Sequence, residues 1–154
     1  MQKITTFLTY DQQAEEAAKL YVGLFEDAEI TNTTYYKEGM PVPAGRVMSV
    51  EFRLAGQEYV ALNGGPHFRF AEGMSLFVSC QDQAEIDRLW VALTADGGQP
   101  GQCGWLKDRF GVSWQLIPHN LRQLLSSPDP DRARRKMAAM LQMHKIDIAA
   151  LEQA

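Results

Sequence analysis

The chain reads as an α+β fold in which one β-α-β-β-β pattern is used twice and followed by helices. Two observations carry that expectation. A strand-like run precedes an acid and an apolar helical stripe at two places, around Asp11 and around Asp82. A glycine three residues before an aromatic, Gly56-x-x-Tyr59 and then Gly111-x-x-Trp114, marks the final turn of each half. The period between the halves is longer than that of any solenoid repeat.

Ile4 to Tyr10 is expected as a strand with Phe7 and Leu8 at its centre. Asp11 is expected to cap a helix on which Ala14, Ala17, Ala18, Tyr21, Leu24 and Phe25 form one buried stripe. Ile30 to Tyr36, rich in threonine and tyrosine, is a strand, and a loop follows through Gly39, Pro41, Pro43 and Gly45. Val47 to Leu54 and Glu58 to Leu62 are strands joined by a turn at Ala55-Gly56. Met74 to Cys80 opens the second half as a strand. Asp82 caps the next helix, with Glu85 completing a capping box. Ile86, Leu89, Trp90 and Leu93 supply its stripe, and Gly97-Gly98 ends it. A weak strand is expected near Gly101 to Cys103, then a hairpin over 105–117 turning on Asp108-Arg109-Phe110-Gly111. Asp bonds its own backbone there, and Gly takes a positive φ freely.

Residues from about 119 to 154 form a helical tail. Leu121, Leu124 and Leu125 suggest a short helix, Met137, Met140, Leu141 and Met143 a methionine-rich stripe on a second, and Ile146 to Leu151 a third. That stripe is expected to pack on the sheet exterior or across a two-fold interface. Asp129 and Asp131 precede Arg132, Arg134, Arg135 and Lys136, which reads as a helix with acids in its first turn and a solvated basic face.

At 154 residues the chain suits one domain, with unit one at about 1–65 and unit two at about 72–118. Its composition, 45% hydrophobic and 22% charged, is ordinary for a globular protein. A formal charge of −4 argues against general affinity for nucleic acid or an anionic membrane. No signal-peptide core is visible, and no run approaches about 18 apolar residues, so a cytoplasmic location is expected. Cys80 and Cys103 make neither a disulfide framework nor a zinc pattern.

The segment Cys103 to Leu116 resembles the last hairpin of the vicinal-oxygen-chelate superfamily, which includes glyoxalase I, bleomycin-resistance proteins and extradiol dioxygenases. The pattern there is Asp-Pro-x-Gly-x-x-apolar-Glu, and its Glu commonly binds metal. Gln115 stands at that position here. Three further segments, Asp11 to Tyr21, Ala61-Leu62-Asn63-Gly64-Gly65-Pro66 and Cys103 to Asp108, are similar to the PhnB-like branch. That branch is often labelled 3-demethylubiquinone-9 3-methyltransferase. The resemblance covers nearly the whole chain, tail included. It implies two cup-shaped sheets facing one another around a small-molecule site.

The same resemblance implies metal ligands, His or Glu, on the first and last strands of each unit. Those strands offer Ile4, Thr5, Thr6, Phe7, Leu8 and Thr9, then Ser75, Phe77, Ser79 and Cys80, with Val60, Leu62, Asn63 and Gln115 on the last ones. His67, His119 and His144 fall elsewhere, so no metal and no other cofactor is expected. Gln115 and Asn63 remain as amides for a ligand, each with a structural alternative as a satisfied inward amide or a turn residue. Trp105, Trp114, Phe7, Phe77 and Tyr59 are candidates to line an aromatic cavity, or to be core. Cys103 is expected to be a structural thiol, and Lys107-Asp108 part of the turn. The only candidate for a cofactor-binding glycine turn, Ala61-Leu62-Asn63-Gly64-Gly65-Pro66, has Pro66 after the glycines and no helical stripe behind it, which suits no S-adenosylmethionine site. The expectation is a homodimeric small-molecule binding protein without the usual metal. A metal-assisted lyase, isomerase or dioxygenase, or a methyltransferase, stands as the alternative.

Overall fold

The computed structural model describes residues 2–154. The chain divides into two compact units, the first ending at Arg69 and the second spanning Phe70–Ala154, so the helical tail belongs to unit two.

Unit one runs β1 (Thr6–Tyr10), α1 (Ala14–Val22), β2 (Ala28–Tyr35), β3 (Val47–Leu54), β4 (Gln57–Asn63). Its sheet has the order β1-β4-β3-β2, with β1 parallel to β4 and the other pairs antiparallel. Alternation along the strands puts Leu8, Tyr10, Val50, Phe52, Leu54 and Ala61 on one buried face. The helix packs there through Ala14, Ala17, Ala18 and Tyr21, whose small side chains let it lie close to the sheet. Tyr21 and Phe52 meet with ring centroids 6.1 Å apart, and the Tyr10 and Tyr21 hydroxyls are 3.1 Å apart. Burying Tyr21 and Phe52 is worth about 1.5–3 kcal/mol for each ring.

Unit two repeats the topology. It runs β5 (Leu76–Cys80), α2 (Gln83–Thr94), β6 (Gln99–Pro100), β7 (Trp105–Lys107), β8 (Ser113–Pro118), in the order β5-β8-β7-β6 with β5 parallel to β8. Ile86, Leu89 and Leu93 of α2 are buried, as are Leu106, Trp114 and Leu116 of the sheet on which it packs. The tail adds α3 (Leu121–Leu125), α4 (Pro130–Leu141) and α5 (Ile148–Gln153). Among the described residues no helix is long and apolar enough to cross a membrane.

Four expectations need correction. Asp11 does not cap α1. The helix starts at Ala14, and its first free amide is met by Asn63 Oδ1 at 2.9 Å, a cap supplied from 49 residues away. Asp82 caps α2 through the Glu85 amide as expected, but the Glu85 carboxylate reaches one residue further back, to Gln81 N. The short strand lies at Gln99–Pro100, not at 101–103, because the Cys103 and Gly104 amides are taken by the Met143 and His144 carbonyls of the tail. Gly104 is required at that junction. Its φ is +87°, and a Cβ would lie 2.8 Å from Leu116 O and 2.9 Å from Ile117 Cδ1.

The fourth correction concerns α4. Met137 and Leu141 of the methionine stripe are exposed, Leu141 by 54%, while Lys136 of the expected solvated basic face is only 6% exposed. Lys136 Nζ donates to Leu151 O at 2.6 Å, and Arg132 donates to Glu152 O and Ala154 O. Two cations thus meet the orphan carbonyls at the C-terminal end of α5, where they also complement the helix dipole. Arg134 and Arg135 do face solvent.

Candidate functional site

Each sheet carries its helix, α1 or α2, on one face, and the opposite, helix-free face is called the open face here. In unit two the open face bears a cross-strand row, because Phe77 pairs with Gln115 and Gln115 with Trp105. Phe77 is 59% exposed, while Gln115 and Trp105 are half-buried. Gln115 Nε2 donates to Ser75 Oγ at 2.9 Å, which fixes the amide between the two rings. Lys107 lies on the same face, in an ion pair with Glu72 that holds the Glu72 carboxyl below its usual value. The structure therefore brings together three of the residues singled out in the sequence: Phe77, Gln115 and Trp105.

Trp114 is on the opposite, helix-covered face. Its indole Nε1 donates to Asp108 Oδ2 at 3.0 Å, while Asp108 Oδ1 accepts from Phe110 N and Val112 N. Asp108, 3% exposed, organises the hairpin turn as the sequence suggested. Tyr59 stacks on Phe52 with centroids 5.4 Å apart, and burial pushes its phenol above the usual value. Asn63 is saturated: Oδ1 caps α1, Nδ2 donates to Val47 O, and its carbonyl accepts from Tyr36. A cavity of about 570 Å³ adjoins it, lined by Asp11, Glu15, Tyr36 and Arg46 among others.

Phe7 is on the open face of unit one, 58% exposed. It pairs with Val60, which pairs in turn with Glu51. Aligning the two units on their parallel pairs makes Phe7 the counterpart of Phe77, Val60 of Gln115 and Glu51 of Trp105. The position matching Gln115 is thus Val60, three residues before Asn63. Glu51, Glu58 and Ser113 are further polar groups of the open faces, and sequence reasoning gave none of these three a role. The signal for Glu51 was present: it is a carboxylate between Val50 and Phe52 in an alternating strand. The Ser113 hydroxyl is buried without a hydrogen-bond partner among the described residues.

The donor set does not suit the fold's usual metal. The open-face residues of the first and last strands are Phe7, Thr9, Glu58, Val60 and Leu62, then Phe77, Ser79, Ser113, Gln115 and Ile117, a set with no His and with Glu58 as its single carboxylate. Among the described residues no three His, Cys, Asp or Glu side chains converge on one point. The Gly64-Gly65 turn fits S-adenosylmethionine no better. Both glycines line the 570 Å³ cavity, but the chain runs from this turn to β5 with no helix between, so the strand-to-helix glycine turn that such a cofactor uses is absent here.

The comparisons with known proteins accord with this architecture. The sequence pattern of the 3-demethylubiquinone-9 3-methyltransferase family matches residues 2–117. A PhnB protein from Bacillus cereus, described as a 3-demethylubiquinone-9 3-methyltransferase, is 37% identical, with a TM-score of 0.70 over 76% of this chain and 99% of its own. A protein from Pseudomonas aeruginosa shares the fold at 22% identity, with a TM-score of 0.59 over 74% of this chain and 95% of its own. A glyoxalase/bleomycin resistance protein from Albidiferax ferrireducens is also matched, at 16% identity and TM-score 0.48, over 73% and 95% of the two chains. No curated protein matches. The matched region stops at residue 117, which corrects the expectation that the resemblance extends through the tail. The chain has an α+β, glyoxalase-like fold and belongs to the 3-demethylubiquinone-9 3-methyltransferase (PhnB) family.

Proposed function

We propose that this chain binds a small planar molecule on the open face of unit two and does so without a transition metal. The observation that carries the reading is the row Phe77–Gln115–Trp105, an amide held between two accessible rings. Rings of that kind offer apolar area, and a fixed amide offers a donor and an acceptor to orient a ligand edge. Because Gln115 replaces an anionic oxygen, the site favours a neutral polar edge over a chelated cation. The family's name describes methyl transfer, but the lack of a helix after the Gly64-Gly65 turn supports binding without S-adenosylmethionine. The same proposal takes the chain as a cytoplasmic homodimer. Its support is the pair of free thiols and the exposed Met137 and Leu141, an apolar face that a second copy would cover.

Native mass spectrometry of the protein purified from its own cytoplasm tests these points together. The expected species is a dimer carrying an organic ligand and well under one equivalent of Zn, Mn, Fe or Ni. Gln115→Ala should retain the fold and lose the ligand mass. A stoichiometric metal that survives dialysis would favour the metal-assisted lyase, isomerase or dioxygenase reading. Micromolar binding of S-adenosylmethionine in a calorimeter would favour the methyltransferase.

A further inference from the structure

A separate cavity of about 280 Å³ lies against the open face of unit one, lined by Thr5, Phe7, Glu51, Glu58 and Val60 among others. Its composition differs from that of the unit two row. Phe7 offers a ring 58% exposed to solvent, and Val60 beside it is buried. Glu51 pairs with Val60 and Glu58 with Arg53, so the two carboxylates are diagonal neighbours on one face. Diagonal cross-strand positions lie roughly 7–8 Å apart, close enough for both side chains to reach one charge.

The cation nearest this pair is turned away. Arg53 Nη1 donates to Glu29 at 2.9 Å and Nη2 to Asp27 at 3.5 Å, both toward the β2 side of the sheet. Among the described residues no lysine, arginine or histidine forms an ion pair with Glu51 or Glu58, and none lines the cavity. An aromatic face beside two carboxylates is the arrangement that binds an organic cation. The ring quadrupole attracts the positive charge, and the carboxylates neutralise it. A bare metal ion suits the place less well, since two side chains and an apolar wall leave most of its oxygen ligands to water.

We propose that the Phe7–Glu51–Glu58 cavity of unit one is a binding site for a small organic ammonium. The cation lies over the Phe7 ring, Glu51 and Glu58 flank it, and Val60 packs against its alkyl or aryl substituent. Every observation behind this assignment comes from unit one.

Titration of the full chain with benzyltrimethylammonium, followed by calorimetry and by backbone amide shifts, tests the proposal against benzyl alcohol as the neutral probe. The quaternary cation should bind and move the amides of Phe7, Glu51 and Val60, and benzyl alcohol should bind about tenfold more weakly or not at all. The double variant Glu51→Gln, Glu58→Gln alters two exposed side chains and should keep wild-type melting while losing about tenfold in affinity. Raising the salt concentration should weaken the wild type more than the variant. Absence of cation binding, equal affinity for the two probes, or undiminished affinity in a folded double variant would each overturn the assignment. The wild-type comparison of the two probes decides the matter alone if the variant does not fold.

Discussion

At the scale of single residues, two buried groups have consequences that a stability measurement reads directly. Asp108 holds two turn amides and the Trp114 indole with one carboxylate. Asp108→Ala leaves three donors without that acceptor in a region 3% exposed, and should cost about 3–5 kcal/mol in denaturant unfolding. Asp108→Asn keeps the shape and should cost less. Cys80 gives a pH signature. Burial, helped by the Glu85 charge, pushes its thiol from 9.0 up to about 12. Below about pH 9 the thiol is neutral in both states and its contribution to stability is fully present. Between 9 and 12 the unfolded chain ionises first, so that stability is progressively lost as pH rises. Cys80→Ala should flatten this alkaline decline in chemical denaturation across that range. Ellman's reagent should reach Cys80 only on unfolding. The residues themselves announced one of these roles and hid the other. Asp before a turn glycine is a local signal, whereas the burial of Cys80 depends on strands and a helix far apart in sequence.

Among the elements, α4 is where sequence and structure part most clearly. Periodicity found the helix and the exposure of Arg134 and Arg135, but not that Lys136 is buried while Met137 and Leu141 are exposed. Methionine and leucine count as apolar wherever they stand, and nothing local shows that Lys136 is needed to meet a carbonyl of α5. The α1 cap failed for the same reason, since Asn63 reaches it across the sheet. Strands β3 and β4 and the hairpin β7–β8 were legible because alternation and turn chemistry are local. Of the candidate site, Phe77, Gln115 and Trp105 were legible as residue types, and only strand register showed them to be one row. Lys136→Glu should cost about 3 kcal/mol or more, because it buries a second negative group against Leu151 O. Leu141→Asp should shift the melting of an isolated monomer by no more than about 0.5 kcal/mol equivalent. Light scattering on that variant reports whether the exposed face pairs with a second copy: a fall from dimer to monomer mass is the expected result.

For the whole molecule, the tail is the part that the family pattern does not reach, and yet unit two is built around it. Ile146 and Leu151 are fully buried, the Cys103 and Gly104 amides end on tail carbonyls, and Gln83 bonds to both Ile146 O and Ile148 N. Removal of residues 119–154 should therefore cost of order 5 kcal/mol, comparable with the net stability of a domain this size. The expected outcome by circular dichroism is a truncated chain that melts at much lower temperature or without cooperativity. Ile146→Ala, at about 2–5 kcal/mol, should reproduce much of that loss with the tail in place.

Both sheets place the strand synthesised last between partners made earlier: β4 enters between β1 and β3, and β8 between β5 and β7. Neither sheet can grow outward strand by strand as the chain leaves the ribosome. Until Gln57 to Asn63 have emerged, β1 has no neighbour in its sheet, and Phe7 waits for Val60 across most of the unit. The same interval recurs before Ser113 to Pro118 appear. Such non-local closure is slow compared with helix formation, and it leaves unpaired strand edges open to other chains during the wait. A ribosome paused just before residue 57 or residue 113 would hold the chain in its most aggregation-prone form, while a pause a few residues beyond Asn63 would let the first sheet close before the second begins.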